Sequence, residues 1–527
     1  MLALKELAQF LDSLEELGSN KRKIELAADF LNSLSLDDLT STLNLLTDNA
    51  ASGIGGKTLL MATSELVDEN KFASALRSTG DVGEAIALSL KPRAIQASLT
   101  KEPLYVGEVV EILRVTSRRS SRDEKTELLK KAISRCSALE AKYLAKIIIR
   151  DFRIGFSDGL LLNALALALN SDVGKMRRMS AFSQIYELPE IAGKPEAGVP
   201  GIFRPFKPML AQRASSSDEI IKRHGKSSLE RKIDGFRAMI HKSSSTVKIY
   251  SRRLQDVTEK LPDVVKIVEN FDGDFIVDCE IAGFKNGRIM PFQRIMRRFR
   301  KYDIGAMARE ISLRPFIFDV LHLDGKSFID AGYEYRRSIL EEKFAYLTVE
   351  RRVAESPEEV GSFFKDSVNR GYEGVVAKDL NSTYLPGERS ASWLKLKRAP
   401  EALDLVIIEA QWGYGRRHNY LSNYTLGVRG RNELTPIGKT YKGLTDKEME
   451  KLTEKLLGLK LKEENRKVIV RPEIVVEVIY DDIQRSPRYR CSYALRQTRI
   501  RGIRWDKSAD EADDLKKVQM IYKKMHG

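Results

Sequence analysis

Apolar residues recur at helical spacing from the first turn of the chain. Leu4, Leu7, Phe10, Leu11, Leu14 and Leu17 fall on one face of a 3.6-residue period. The pattern repeats over 23–34. Asp37-Asp38 then supplies an acidic helix start, with Leu39, Leu43 and Leu46 behind it. Gly53-Ile-Gly-Gly56 interrupts the run, after which helices are predicted through Leu66, over 82–90 and over 109–115. The stretch 121–169 is predicted mostly helical, with breaks at Phe152-Arg-Ile-Gly155 and Ser157-Asp-Gly159. No fixed-period repeat runs through it, which argues against a solenoid.

The segment 193–205 is dense in Gly and Pro and reads as an inter-domain linker. Beyond it the period shortens to the alternation of strands, over 238–241, 247–250, 275–284, 316–321, 374–378 and 392–396. Helices are expected over 257–270 and 335–347, which makes an α+β region. From about residue 400 the runs 403–410, 425–429 and 468–480 are strand-like around one amphipathic helix, 446–457. Short strands around a single helix suit a small β-barrel of the OB type.

At 527 residues the chain exceeds one core, and several domains are expected. A 42% hydrophobic and 31% charged composition excludes a disordered chain. The formal charge of +15, with pI near 9.4, changes the picture more, because it favours a polyanionic partner such as nucleic acid. Cys136, Cys279 and Cys491 lie too far apart for a CxxC pair, so no four-cysteine zinc site can be built. A reducing, cytoplasmic location is the natural expectation. The longest near-apolar run, 159–169, is too short for a bilayer, and Met-Leu-Ala-Leu-Lys-Glu opens the chain without a basic leader, so no membrane partner is expected.

Candidate chemistry gathers in the middle of the chain. In Lys232-Ile-Asp-Gly-Phe-Arg237, extended backbone would put Glu230, Lys232 and Asp234 on one face, beside a glycine that allows close approach to the backbone. Such a lysine can be a nucleophile; taken alone, the same letters also describe a surface turn. In Asp278-Cys-Glu280 alternation puts both acids on one face and Val277 and Cys279 in a core. Acids on an apolar strand call for a metal or a lysine opposite, unless the strand is a wet edge. Glu373-Gly-Val-Val-Ala-Lys378 is a second strand led by an acid. Trp393-Leu-Lys-Leu-Lys397 alternates most cleanly: Leu394 and Leu396 must face a core, so Lys395 and Lys397 share the other face. A polyphosphate would relieve their repulsion and would suit Arg237 and Arg252 as well; an exposed basic face is the alternative. Phe318 can be core or can stack on a base. Basic runs at 294–301 and at 485–504, the latter with seven arginines, Tyr489, Tyr493 and no acid, suit phosphate contacts.

In this order the motifs resemble the covalent nucleotidyltransferases, and more closely the ATP-dependent DNA ligases of the archaeal and eukaryotic replicative type. The resemblance extends over almost the whole chain, including Arg204-Pro-Phe-Lys-Pro-Met-Leu-Ala211, residues 251–258, Glu388-Arg-Ser390 and Arg504-Trp-Asp-Lys507. It implies an all-α DNA-binding domain (1–202), an α+β adenylation domain (203–398) and an OB-fold domain (399–527). It also implies ATP and Mg2+ as cofactors, and a monomer sealing nicks in double-stranded DNA during replication, repair and recombination. Lys232 resembles the lysine that takes AMP from ATP. Glu230, Arg237, Arg252 and Phe318 resemble the adenosine contacts. Glu280 and Glu373 resemble the acids that organise ribose and metal, and Arg389, Lys395 and Lys397 the phosphate-binding cations. Cations near Lys232 are expected to depress its pKa, with Glu230 and Asp234 opposing.

Two departures stand out. The family often has Phe-Pro where this chain has Gln497-Thr498, and Gln96-Ala-Ser-Leu-Thr100 lacks the aromatic of a sliding-clamp motif. A clamp contact therefore has little to rest on. An RNA ligase or mRNA capping enzyme shares the lysine motif but does not need the long helical region; label trapped from GTP alone would sink the ligase reading. A basic DNA-binding protein with a degenerate site would never take label from ATP.

Overall fold

The computed structural model describes all residues except 48–52, 92–101, 195–196, 286–287, 291–294, 296–310, 399–401, 414–416, 431–432, 465 and 527. The segment 96–100 and the basic run 294–301, apart from Ile295, lie outside the described residues. The chain divides into two units, Met1–Lys23 with Ser41–Ser157 and Ala399–Gly527, and Ile24–Thr40 with Asp158–Arg398.

The second unit carries the strands β1 (Leu210–Arg213), β2 (Ser227–Lys232), β3 (Phe236–Ser243), β4 (Thr246–Ser251), β5 (Phe275–Lys285), β6 (Arg288–Ile289), β7 (Leu313–Leu323), β8 (Lys326–Ser327), β9 (Arg351–Ala354), β10 (Gly374–Asp379) and β11 (Arg389–Lys397). They form two sheets, of order β1-β11-β10-β2-β9 and β4-β3-β5-β7-β8, with β6 paired to β5. On the first sheet Leu229, Val375, Ala377, Leu394 and Leu396 face Ile220, Val360 and Phe363 of the helices Ser217–His224 and Pro357–Asn369. Period-2 alternation therefore turns Glu230, Lys232, Lys378, Lys395 and Lys397 to the other face.

The second sheet buries Ile240, Val277, Cys279 and Ile281 against the helices Pro262–Glu269 and Tyr333–Lys343. Between the two sheets Met239, Ile276, Leu321, Tyr384 and Trp393 form a shared apolar layer. The helix expected over 257–270 starts only at Pro262, whose fixed φ and missing N–H suit a first helical position. The residues before it make a single 3-10 turn, Thr258–Lys260.

In the first unit, the helices Leu4–Glu16, Val82–Ser89 and Ala138–Ile149 meet through a buried polar knot. Lys146, fully buried, pairs with Glu15 at 3.0 Å and Asp81 at 3.3 Å. Tyr143 donates to one of two carboxylates, Asp12 at 2.9 Å or Glu15 at 2.8 Å. A buried ammonium is tolerable only with partners of this kind.

The C-terminal strands are β12 (Ala402–Trp412), β13 (Leu421–Arg429), β14 (Leu434–Thr440), β15 (Lys460–Glu464), β16 (Lys467–Val470), β17 (Val475–Ile479), β18 (Asp482–Arg485), β19 (Tyr493–Arg496) and β20 (Arg499–Ile503). Long β12 pairs with β13 on one side and with β17 and β16 in succession on the other. β20 adds to β17, and β18 pairs with β19. Helix Asp446–Gly458 packs Met449, Leu452 and Leu456 into this core. The arrangement is compatible with the expected OB type. The run 468–480 is two strands rather than one, because Pro472 cannot donate to a ladder. Among the described residues no helix is long and apolar enough to cross a membrane.

Candidate active site

Three strand ends bring the central lysine to its partners. Lys232, the last residue of β2, is the register partner of Gly374 on β10, and Gly374 is in turn the partner of Lys397 on β11. Glu373, one residue before, donates its N–H to the Lys232 carbonyl at 2.9 Å. Its carboxylate lies between the two amines: Lys232 Nζ is 2.6 Å from Oε2, and Lys397 Nζ pairs with Oε1. After Lys232 the chain turns at Asp234-Gly235 into β3. A Cβ on Gly235 would meet the Ile281 carbonyl at 2.6 Å and Glu280 Cγ at 2.9 Å. The glycine is required here by the neighbouring strand β5, beyond any need of a ligand.

The electrostatics correct one expectation. Burial pulls the Lys232 pKa down, but Glu373, Glu280 and Asp234 together outweigh it, and the amine is held above its ordinary value. The depression expected from Lys395, Lys397 and Arg237 does not prevail, because Glu373 bridges Lys232 and Lys397 and Arg237 is tied to Asp278. Glu280 is pushed up to about 7, by burial and by Asp278 and Asp234 against Lys232 and Arg237. Lys395 is pushed down to about 8 by burial and by the cations Arg389, Lys397 and Lys232. The repulsion expected on that strand face is therefore present, with Arg389 part of it. Arg389 itself is exposed at the start of β11 and donates to the Ala211 carbonyl at 2.9 Å.

The second sheet contributes a further set of polar and aromatic groups from β3, β5 and β7. Arg237 makes a two-pronged pair with Asp278, at 3.0 and 2.6 Å, and Tyr384 donates to the same carboxylate at 2.7 Å. The guanidinium stands 5.3 Å from the centroid of the half-buried Phe318 ring. Arg252 and Arg237 both line a small cleft with Asp278, Ser251, Met239 and Phe206.

Glu230 shares a face with Lys232 as alternation requires, yet its carboxylate serves other partners. It accepts from Tyr333, pairs with Arg337 at 3.4 Å and with Lys378 at 2.8 Å, all buried. Lys378 is the site residue that sequence reasoning passed over. Its ammonium also donates to the Phe318 carbonyl at 2.7 Å and lies 4.3 Å from the Trp393 ring centroid. Burial lowers its pKa, against Glu230 and Asp319. Its place at the end of the strand led by Glu373, in Glu373-Gly-Val-Val-Ala-Lys378, was the available signal.

The arginines of 485–504 are less unopposed than their sequence suggests. Arg485 lies 4.5 Å from the Tyr493 ring centroid and 5.2 Å from that of Tyr522. Arg501 meets Glu477 at 3.5 Å, and Arg504 pairs with Asp506 at 2.6 Å and Asp404 at 3.3 Å. Lys507 also reaches Asp404, at 2.5 Å. Arg488, Arg496 and Arg499 keep exposed side chains. Cys136, Cys279 and Cys491 are buried and unpaired.

Comparison with known proteins agrees with this geometry. Sequence models described as DNA ligase N terminus, ATP dependent DNA ligase domain and ATP dependent DNA ligase C terminal region match residues 3–166, 208–397 and 417–507. The chain is 37% identical to "DNA ligase 1" of Korarchaeum cryptofilum (strain OPF8), over 99% of both chains. It is 36% identical to the DNA ligase of Methanocaldococcus jannaschii, over 91% of this chain and 90% of that one. A solved structure named Pmar-Lig_PreS3 shares the fold, with a TM-score of 0.64 and 16% identity over 94% of this chain and 99% of that one. With three motif-bearing strands converging on Lys232, and relatives this similar along their whole length, the chain belongs to the ATP-dependent DNA ligases and seals nicks in DNA.

Proposed function

We propose that Lys232 is the nucleophile that carries AMP. Its Nζ attacks the α-phosphorus of ATP, the P–N bond forms, the bond to the bridging oxygen breaks, pyrophosphate leaves, and the amine gives up a proton. A 5′-phosphate oxygen of the nick then takes the AMP, and Lys232 leaves as the amine. The 3′-hydroxyl finally attacks the 5′-phosphorus and releases AMP. The observation that carries this reading is the row Lys232, Gly374, Lys397 with Glu373 between the amines.

In this reading Lys395, Lys397 and Arg389 neutralise the triphosphate, and ATP binding stabilises the charged form of Lys395. Phe318 stacks on the base, while Arg237 and Arg252 hold the ribose side. Glu230 acts at the base end of the pocket through its pairing with Lys378. Among the described residues no group of three or more metal-ligating side chains is gathered. Glu280 and Glu373, both close enough to act on Lys232, are a donor set that fits Mg2+, which takes one or two carboxylates and completes its shell with phosphates and water. The bound ion would offset charge developing on the pyrophosphate. Residues 1–202 and 399–527, as helical and OB-fold domains flanking an adenylation domain at 203–398, supply basic surface to the duplex. The enzyme acts as a monomer.

Lys232 must lose a proton before it attacks, and Glu373 opposes that loss. Rate should therefore rise with pH as the neutral amine becomes populated, and Glu373→Gln should move that rise to lower pH, because it removes the leading charge that raises the Lys232 pKa. The measurement is kcat/KM for AMP transfer from ATP to the protein across pH, without DNA. The amplitude falls if the metal loses a ligand; the midpoint is the diagnostic. An unmoved or alkaline-shifted midpoint would contradict the assignment.

A further inference from the structure

Outside the pocket, one exposed ring is held in an unusual setting. Tyr441 is 59% exposed on the turn that leaves β14. Single exposed aromatics are ordinary on protein surfaces, so exposure alone says nothing. Here the backbone beneath the ring is fixed from several directions. Arg417 donates to the Tyr441 carbonyl at 3.0 Å, Ile500 donates to the Lys442 carbonyl at 2.9 Å, and Thr440 donates to the Thr498 carbonyl at 2.8 Å. Gly443 follows with φ of +118°, and a Cβ there would stand 1.9 Å from the Ile500 carbonyl, so only glycine allows the turn to lie so close to β20.

Cations stand on the ring's own turn and on the neighbouring tip between β19 and β20, where Arg496 lies opposite Asp482. The Lys442 ammonium lies 5.4 Å from the ring centroid and donates to Gln497 at 3.4 Å. Gln497 sits at the tip between β19 and β20, flanked by the exposed Arg496 and Arg499. An uncovered ring on a braced turn, with Lys442 beside it and arginines on the adjoining tip, suits a polyanion that also has flat apolar faces, and nucleic acid meets both requirements.

We propose that Tyr441 is a DNA-contacting residue, packing its ring on a base or sugar of the bound nicked duplex while Lys442 and the arginines beside Gln497 meet phosphates. The proposal rests on the ligase reading only in taking duplex DNA as the partner. The test is binding of a nicked duplex by the full-length chain over a range of salt. Tyr441→Ala should weaken binding about tenfold, the lower part of what stacking contributes. The slope of affinity against salt should stay unchanged, because no phosphate contact is lost. Tyr441→Phe should bind as wild type, and AMP transfer from ATP without DNA should be the same in all three. Wild-type affinity in the alanine variant would overturn the proposal; so would an equal loss of AMP transfer, which would make the ring structural. If the wild-type protein accepts no AMP from ATP, the reading of Lys232 has failed, and the binding result still decides the role of Tyr441.

Discussion

Replacing Lys232 with alanine should abolish AMP transfer from ATP and reduce ATP-driven nick sealing by at least about 10^4-fold, since loss of a covalent nucleophile removes the first step rather than slowing it. The fold should survive. The side chain is 21% exposed, Glu373 keeps Lys397 as a partner, and Glu280 keeps the charge of Arg237 nearby. The same variant should still join a nick that already carries AMP on its 5′-phosphate, because that step needs the phosphate-binding cations and not the amine. Comparing the two substrates separates a missing nucleophile from a damaged site. Equal losses on both would point to misfolding or to a different role for Lys232.

The second large effect concerns Glu230, which neutralises two buried cations at once. Glu230→Ala would leave Lys378 in the interior with its carboxylate gone, while Arg337 keeps Glu341 at 2.8 Å. Breaking a buried pair in this way should cost about 3 kcal/mol, the lower part of the usual range, because burial already favours loss of the Lys378 proton. Adding Lys378→Met should recover much of that loss, since an apolar replacement of both partners is often near neutral. Urea unfolding reports this through Trp393, whose ring lies against Lys378, in a chain with the other two tryptophans, Trp412 and Trp505, changed to Phe. Additive losses in the double variant would contradict the coupling.

Local alternation made much of this architecture legible in advance. The face shared by Lys395 and Lys397, the core placing of Leu394 and Leu396, and the common face of Asp278 and Glu280 all follow from a period of two. What could not be read came from pairing between distant segments. Glu373 reaches Lys232 only because β10 lies beside β2, and this pairing reverses the direction expected for the Lys232 pKa. Lys378 becomes the partner of Glu230 through the same ladder. Asp506 is a local partner of Arg504, but Asp404 and Glu477 sit on strands β12 and β17, 100 residues from the arginine met in one case and 24 in the other. Residue type and spacing pointed to the chemistry; the register decided which charges face each other.

The account stands on the identity of one atom, the nitrogen that receives AMP. The direct measurement is peptide mapping by mass spectrometry after incubating the protein with ATP and Mg2+ in the absence of DNA. The account predicts AMP on the peptide that contains Lys232, lost when nicked DNA is added. AMP found on Lys395, Lys397 or any other residue, or on none, would contradict it.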